Sequence, residues 1–309
     1  MKNASKKAYG RISLLGNPSD IYGGKCISFT FDKYAIVNVR ENSNFKITGE
    51  GIEERNLIYN GRHNLLKATI KRFNLQNKRL AIEYESSIPY GSGLGGSSAI
   101  IIAGIRALND YYNLSLSNYT IAELALVIET EELGISAGFQ DRYAIAFEGV
   151  NYMDFKGKEF MKPDDEYGYV ERLNVSNIPF FLALGEKPKS SASVHNPLRN
   201  RFLRRGKESK RIKEEMDRIA ELAYKGREYM LKGKWDRVGQ LMNQNTILRE
   251  NLCPHLSIDK KMINDAHSYG VLGAKVAGSG GAVVILSEKK EIFDLMSSKY
   301  PCYRPGIIE

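Results

Sequence analysis

The sequence predicts an α+β protein, and three observations carry that expectation. Strand-type segments fill most of the first ninety residues; the apolar period lengthens to a helical one after Ser97; strands return after residue 150, ahead of a long helical stretch. Runs of strands followed by runs of helices favour α+β over a regular βαβ alternation. With 309 residues the chain can form one large domain or two ordinary ones.

Along the chain, "CISFTF" (26–31) and "YAIVNVR" (34–40) read as strands flanking Asp32 and Lys33, a plausible hairpin turn. "FKITGE" (45–50) and "RLAIEYE" (79–85) continue the pattern, with a helix expected between them near 64–73. From Ser97, Ile101, Ile105, Leu108 and Tyr112 recur at helical spacing; further helices are expected over 119–132 and from Gln140. Strands resume with "YVERLNV" (169–175) and "PFFLALG" (179–185). The charged segment 157–170 holds Gly and Pro and suggests a domain boundary, drawn as 1–160 and 161–309. Residues 187–207 read as a basic, proline-containing loop. Two long helices follow near 209–231 and 235–250; in the first, Ile212, Met216, Ile219 and Ala223 form an apolar stripe that reads as core. A helix near 259–269 leads into "AKVAGSGGAVVIL" (274–286), read as strand, glycine turn, strand.

Composition narrows the function classes. Hydrophobic content of 42% and 26% charged residues fit an ordinary globular chain, and a formal charge of +9 suits acidic small molecules. The densest basic stretch, 199–213, also holds apolar residues and Glu208; it reads as a solvated loop and helix start and argues against a nucleic-acid partner. Cys26, Cys253 and Cys302 lie far apart without a disulfide or metal spacing, so a reducing cytoplasm is expected. The four histidines form no H-x-x-x-H pair, which argues against a zinc enzyme, and apolar runs such as "AIIIAGI" (99–105) are too short to span a membrane.

The glycine-dense stretch "PYGSGLGGSSAI" (89–100) literally fits G-x-G-x-x-G at Gly91, Gly93 and Gly96. A dinucleotide site also needs a second parallel strand ending in an acid, but "NLSLSNYTIAEL" opens another helix and Asp110 lies inside the first one. A Walker A loop needs a lysine that this stretch lacks. What survives is backbone able to approach a ligand closely at Gly93–Gly96, followed by a helix start at Ser97 and Ser98 whose N–H groups attract anions. The bland alternative is a glycine turn with a serine N-cap. Gly278, Gly280 and Gly281 form a second such cluster, and two anion-friendly loops suggest a nucleotide clamped from both sides.

Three motifs, in order, resemble the GHMP kinase superfamily: "GRISLLGNPSDIYGG" (10–24), "PYGSGLGGSSA" (89–99) and "KVAGSGGAVV" (275–284). Within it, "LGNPSDIYGGKCISFTF", "ELGISAGFQDRYA" and "SGGAVV" are most similar to the glucuronokinase branch. The resemblance implies a two-domain fold, an N-terminal mixed α/β domain with mainly antiparallel strands and a C-terminal α+β domain. It also implies transfer of the ATP γ-phosphate, with Mg²⁺, to the anomeric hydroxyl of a sugar acid.

Carried over residue by residue, the resemblance makes Gly93, Leu94, Gly95, Gly96, Ser97 and Ser98 the phosphate loop, steadied by Gly278, Ser279 and Gly280 on the nucleotide side, with Gly281 on the substrate side. Ser98 and Glu129 would hold Mg²⁺, with Glu132, one helical turn on, in reserve. Asp141 would be the base and Arg11 its electrostatic partner. Asp20 would accept sugar hydroxyls beside Gly23. Read locally, Asp20 is also a turn residue and Asp141 an N-cap. A substrate carboxylate needs a cation, and Lys25, Arg142, Arg199 and Arg201 are all open candidates. Only the aspartate of the galactokinase Glu-His-Thr-Asp survives in Asn17-Pro18-Ser19-Asp20. A kinase for a neutral sugar or another small alcohol, and a non-catalytic nucleotide or sugar sensor, are the alternative readings. The expected partner is a small-molecule substrate, and a homodimer is compatible with the reading.

Overall fold

The computed structural model describes residues 2–158, 167–185, 191–204 and 206–308, with backbone alone over 191–195. The expected boundary at 160/161 lies outside the described residues. The N-terminal part runs β1 (Asn3–Leu15), a 3₁₀ turn (Asp20–Tyr22), β2 (Lys25–Glu41), β3 (Lys46–Gly49), β4 (Ile52–Glu54), α1 (Asn64–Arg72), β5 (Leu80–Ser86), α2 (Gly96–Tyr112), α3 (Asn118–Val127), a π-helical turn (Ile128–Glu132), α4 (Gln140–Phe147), β6 (Val150–Asp154) and β7 (Tyr169–Arg172). It continues through β8 (Phe180–Leu184), α5 (Ser191–Leu203), α6 (Lys207–Leu231), α7 (Trp235–Leu252), α8 (Ser257–Ser268), β9 (Gly273–Val276), β10 (Ala282–Leu286), α9 (Lys290–Ser297) and β11 (Cys302–Tyr303).

Among the described residues, one sheet has the order β4-β3-β5-β2-β6-β7 with β1 also on β2, and a second has the order β11-β8-β10-β9. Every pairing is antiparallel except β3 with β5. This is the expected α+β architecture. Among the described residues no parallel strand follows α2, so the strand that a dinucleotide fold needs after the glycine loop is not found there.

Two local expectations are corrected. The hairpin at Asp32 and Lys33 does not form, because β2 is one strand that keeps β1 as its partner throughout. The register passes from Tyr9↔Tyr34 to Arg11↔Thr30, so the extra residues form a bulge opposite Gly10. On its other edge β2 pairs first with β6 and then with β5, which straightens what the turn chemistry suggested would fold back. The loop expected over 187–207 is helical over Ser191–Leu203, with Pro197 inside the helix. Tertiary packing overrides the proline there: Phe202 meets Tyr22 edge-on at 4.8 Å, and Leu198 joins a cluster with Ile212, Met216 and Ile219.

The helical stripe of α6 is buried as expected, and one apolar cluster runs continuously from Ile12 and Phe29 through Leu222 and Val238 to Val284. The two halves therefore share a core, with α6 against β2 and α7 against β9. The α7–β9 contact is unusually close. A Cβ on Gly239 would sit 2.4 Å from the Leu272 carbonyl oxygen, and one on Gly273 would sit 2.7 Å from the Gly239 Cα.

This contact sets two opposing effects against each other. Alanine in a helix interior is favoured over glycine by about 1 kcal/mol, whereas overpacking costs about 1–3 kcal/mol or more. The obstructing atoms are backbone, which cannot swing aside, so the clash wins. Gly239→Ala is expected to lower the melting temperature; a thermal melt at or above that of the parent would contradict it.

Candidate active site

Arg11 sits near the end of β1, buried to 4% exposure, and its guanidinium joins four segments. Nε and Nη2 donate to the two carboxylate oxygens of Asp141 at 2.7 and 2.8 Å, a bidentate pair. Nη1 donates to the carbonyls of Gly93 and Ala277. The backbone follows the same lines: Arg11 N donates to Leu94 O at 3.0 Å and Ser13 N to Ala277 O at 2.9 Å. The three motifs and Asp141 therefore meet at one side chain.

The glycines are shaped by this meeting. A Cβ on Gly278 would lie 2.0 Å from Gly93 O, and one on Gly93 would lie 2.8 Å from Gly280 O. Gly95 has φ +79°, and a Cβ there would press on Ile145 and Arg11. Gly95 is also the N-cap of α2 and has no side chain to cap with, so the serine-cap alternative is not what forms. The N–H groups of Gly96, Ser97 and Ser98 precede the first intrahelical bond, Ala99 N to Gly95 O. They leave a positive helix end at the loop, with Ser97 exposed and Ser98 buried.

Behind Ser98 lies Glu129. Ser98 Oγ donates to its carboxylate oxygens at 3.3 and 3.5 Å. Arg142 pairs with the same carboxylate through Nε and Nη2 and donates through Nη1 to Gly138 O at 2.7 Å. Burial raises the Glu129 pKa, against the opposing pull of Arg142. The helix expected over 119–132 becomes π-helical at Ile128–Glu132. That wider winding breaks the expected one-turn stacking: Glu129 is fully buried beside Ser98, while Glu132 stays half-exposed. Ser98 and Glu129 offer hard oxygen donors of the kind Mg²⁺ takes alongside phosphate oxygens.

Asp20 is buried at the start of its 3₁₀ turn, and its Oδ2 accepts from Gln140 N at 3.1 Å. It satisfies an open N–H of α4 from outside that helix while still opening its own turn, where Gly23 N donates to Asp20 O at 3.1 Å. Burial raises its pKa, Gln140 N–H opposes this and the Asp141 charge adds to it. Gly138 passes so close that a Cβ would meet Asp20 Oδ2 at 2.3 Å, which brings Asp20 and Asp141 to one corner. Asp141 is not the cap of α4; that position is Phe139. Gly23 closes the Asp20 turn at φ +73°.

The four candidate cations differ in setting. Lys25 faces Asp154 at 3.8 Å, Arg142 is held by Glu129, and Arg201 by Glu208 at 2.7 Å. Arg199, on α5, donates to Ser136 Oγ at 2.8 Å, on the segment that leads to Gly138.

Residues 57–149 match the model of the GHMP kinases N terminal domain and residues 227–301 that of the GHMP kinases C terminal. "Probable glucuronokinase 2" of Arabidopsis thaliana is 33% identical, over 90% of this chain and 83% of that one. The chain belongs to the GHMP kinases. "Glucuronokinase 1" of the same plant is 30% identical over the same shares of the two chains. The fold is also that of the Lactococcus lactis galactokinase crystallised with galactose: TM-score 0.79, 17% identity, 99% of this chain and 93% of that one.

This GHMP kinase also has residues around the site that motif spacing did not reveal. Arg249 of α7 is fully buried and donates to Gly278 O at 2.8 Å and Ser279 O at 3.4 Å. Lys275 of β9 donates to Ser13 O and Val276 O at 3.1 and 2.9 Å. Asp259 of α8 accepts from Gly281 N at 3.1 Å. Asn245 takes Gly16 N and gives to Asn17 O, while Gln140 accepts from Asn17. Lys275 alone left a trace, as a charge inside an otherwise apolar strand; the others sit on helices whose polar positions look solvent-facing until the fold is known.

Asp259 gives a pH test. Burial pushes its carboxyl up to about 6, against the Gly281 N–H and the Arg249 charge. Below about pH 4 it is protonated in the folded and the unfolded chain alike. Between about pH 4 and 6 the unfolded chain ionises and the folded one resists, so this group's contribution to stability falls as pH rises and levels off above 6. Asp259→Asn removes the effect. Urea unfolding of both proteins is expected to show the variant gaining on the parent from pH 4 to 6.5, by up to about 3 kcal/mol. A difference independent of pH would refute the assignment.

Proposed function

We propose that this GHMP kinase transfers the γ-phosphoryl group of ATP to the anomeric hydroxyl of a sugar acid, with D-glucuronate favoured. The bidentate Arg11–Asp141 pair, where both glycine loops and the Asp20 corner converge, carries the reading. The Arabidopsis relatives support the substrate class. The sensor alternative is disfavoured by the complete set Arg11, Ser98, Glu129 and Asp141.

The sugar lies against Asp20 and the Gly23 turn, with its anomeric hydroxyl toward Asp141. Asp141 accepts the hydroxyl proton as the new O–P bond forms and the bond between the γ-phosphorus and its bridging oxygen breaks, its electrons leaving with ADP. The Arg11 fork leaves lone pairs on both Asp141 oxygens, so the carboxylate is oriented and still able to take a proton. The α2 N-terminus and Gly93–Ser98 hold the phosphates, and Ser98 with Glu129 would hold Mg²⁺, which supplies charge neutralisation on them. Arg199 binds the substrate carboxylate; its contact with Ser136 puts it beside the Gly138–Asp20 corner.

Two experiments test this. Coupled assays of ADP release with Mg²⁺-ATP should give glucuronate a higher kcat/KM than glucose or galactose, by about tenfold to a hundredfold, the worth of one charged contact of roughly 1.5–3 kcal/mol. Arg199→Gln should erase most of that preference while leaving neutral sugars little changed. Equal turnover of galactose by the parent would sink the uronate assignment and leave the kinase standing.

Asp141→Asn should lower kcat by about 10²–10⁴ with nucleotide and sugar still bound; it removes the base and one of the two acceptors of the Arg11 fork, so a lower melting temperature is expected alongside. A loss under about fivefold, far below that range, would mean that the proton leaves by another route.

A further inference from the structure

Four consecutive carbonyls of the third glycine loop are held by buried basic side chains. Val276 O takes Lys275 Nζ, Ala277 O takes Arg11 Nη1, Gly278 O takes Arg249 Nη1, and Ser279 O takes Arg249 Nη2. In a planar trans peptide the N–H points opposite to the C=O. Holding the carbonyls of Ala277, Gly278 and Ser279 therefore turns the N–H groups of Gly278, Ser279 and Gly280 the other way. None of these three N–H groups makes a hydrogen bond among the described residues. Gly93 lies against this stretch: a Cβ on it would sit 3.0 Å from Ser279 N. Successive unbonded backbone N–H groups can together bind an anion.

Resting on the kinase reading, we propose that Arg249 is a positioning residue for phosphoryl transfer: it locks this loop so that its N–H groups face the terminal phosphoryl group of a bound nucleoside triphosphate. Neither Arg249 nor Lys275 makes a salt bridge among the described residues, although the Asp259 and Glu250 charges stand near Arg249. Burial disfavours the charged form of both, a cost a purely structural position would avoid with an apolar side chain. Lys275 contributes as a donor in either state, because even the neutral amine has two N–H groups for its two carbonyls. Asp259 completes the frame, fixing Gly281 N on the far side of the loop.

The test compares parent, Arg249→Met and Arg249→Lys by calorimetric titration with a non-hydrolysable ATP analogue and with ADP, no sugar present. The parent should bind the triphosphate analogue more tightly than ADP. That ratio of affinities should fall at least tenfold in Arg249→Met, the size typical of losing a residue that orients a site. It should fall at least threefold in Arg249→Lys, which keeps the charge but reaches one carbonyl. In turnover assays kcat should fall with it, while KM for the sugar stays within about threefold. If Arg249→Met does not fold, Arg249→Lys alone decides. A ratio unchanged within twofold in the folded variants, or a parent that does not favour the triphosphate, overturns the proposal. Failure of the parent to phosphorylate any sugar would instead overturn the kinase reading, since the titration involves no sugar.

Discussion

The structure hangs on the guanidinium of Arg11. Its fork is rigid and its donors have fixed directions, so one group can hold a carboxylate and two carbonyls at once. Those partners are Asp141, Gly93 and Ala277, which lie far apart in the chain. Burying such a pair costs more than its attraction returns unless every donor is matched, and here Nε, Nη1 and Nη2 all are. The glycines follow from the same constraint. Gly93, Gly95 and Gly278 have no room for a Cβ against Arg11 or the facing loop, so glycine is required before any ligand arrives.

Around this joint the fold retains charges that burial opposes. Asp20, Glu129 and Asp259 are all pushed up, and Lys275 and Arg249 pushed down, with burial the largest cause each time. A sequence selected for stability alone would replace several of them with apolar side chains. Their concentration at the meeting of the three motifs is what a phosphoryl-transfer site needs: dipoles and charges already oriented, so that little must reorganise when charge moves.

Where the sequence reading failed, a distant partner had overridden local chemistry. Asp32 and Lys33 have turn composition, yet β1 holds both sides of them in one strand through a bulge. Pro197 argued for a loop, but the segment is helical against Tyr22 and the α6 stripe. Glu129 and Glu132 were indistinguishable at α-helical spacing, and the π-helical turn separated them. Ser97 and Ser98 suggested a cap, whereas Gly95 occupies the cap and leaves the helix end open.

The sequence by itself determined the α+β class, the core stripe of α6, the glycine loops and the motif residues, because those depend on side-chain periodicity and on short spacings that local geometry must obey. Only the tertiary structure decided which residues share a site. It set Glu129 beside Ser98 and left Glu132 half-exposed, took Lys25, Arg142 and Arg201 into acid pairs, and brought in Arg249, Asn245 and Asp259 from helices with no motif of their own. The physical reason is that a buried polar group is identified by its partners. Those partners are set by the packing of α7 on β9 and the bulge between β1 and β2, contacts between residues too distant in the chain for any local pattern to record.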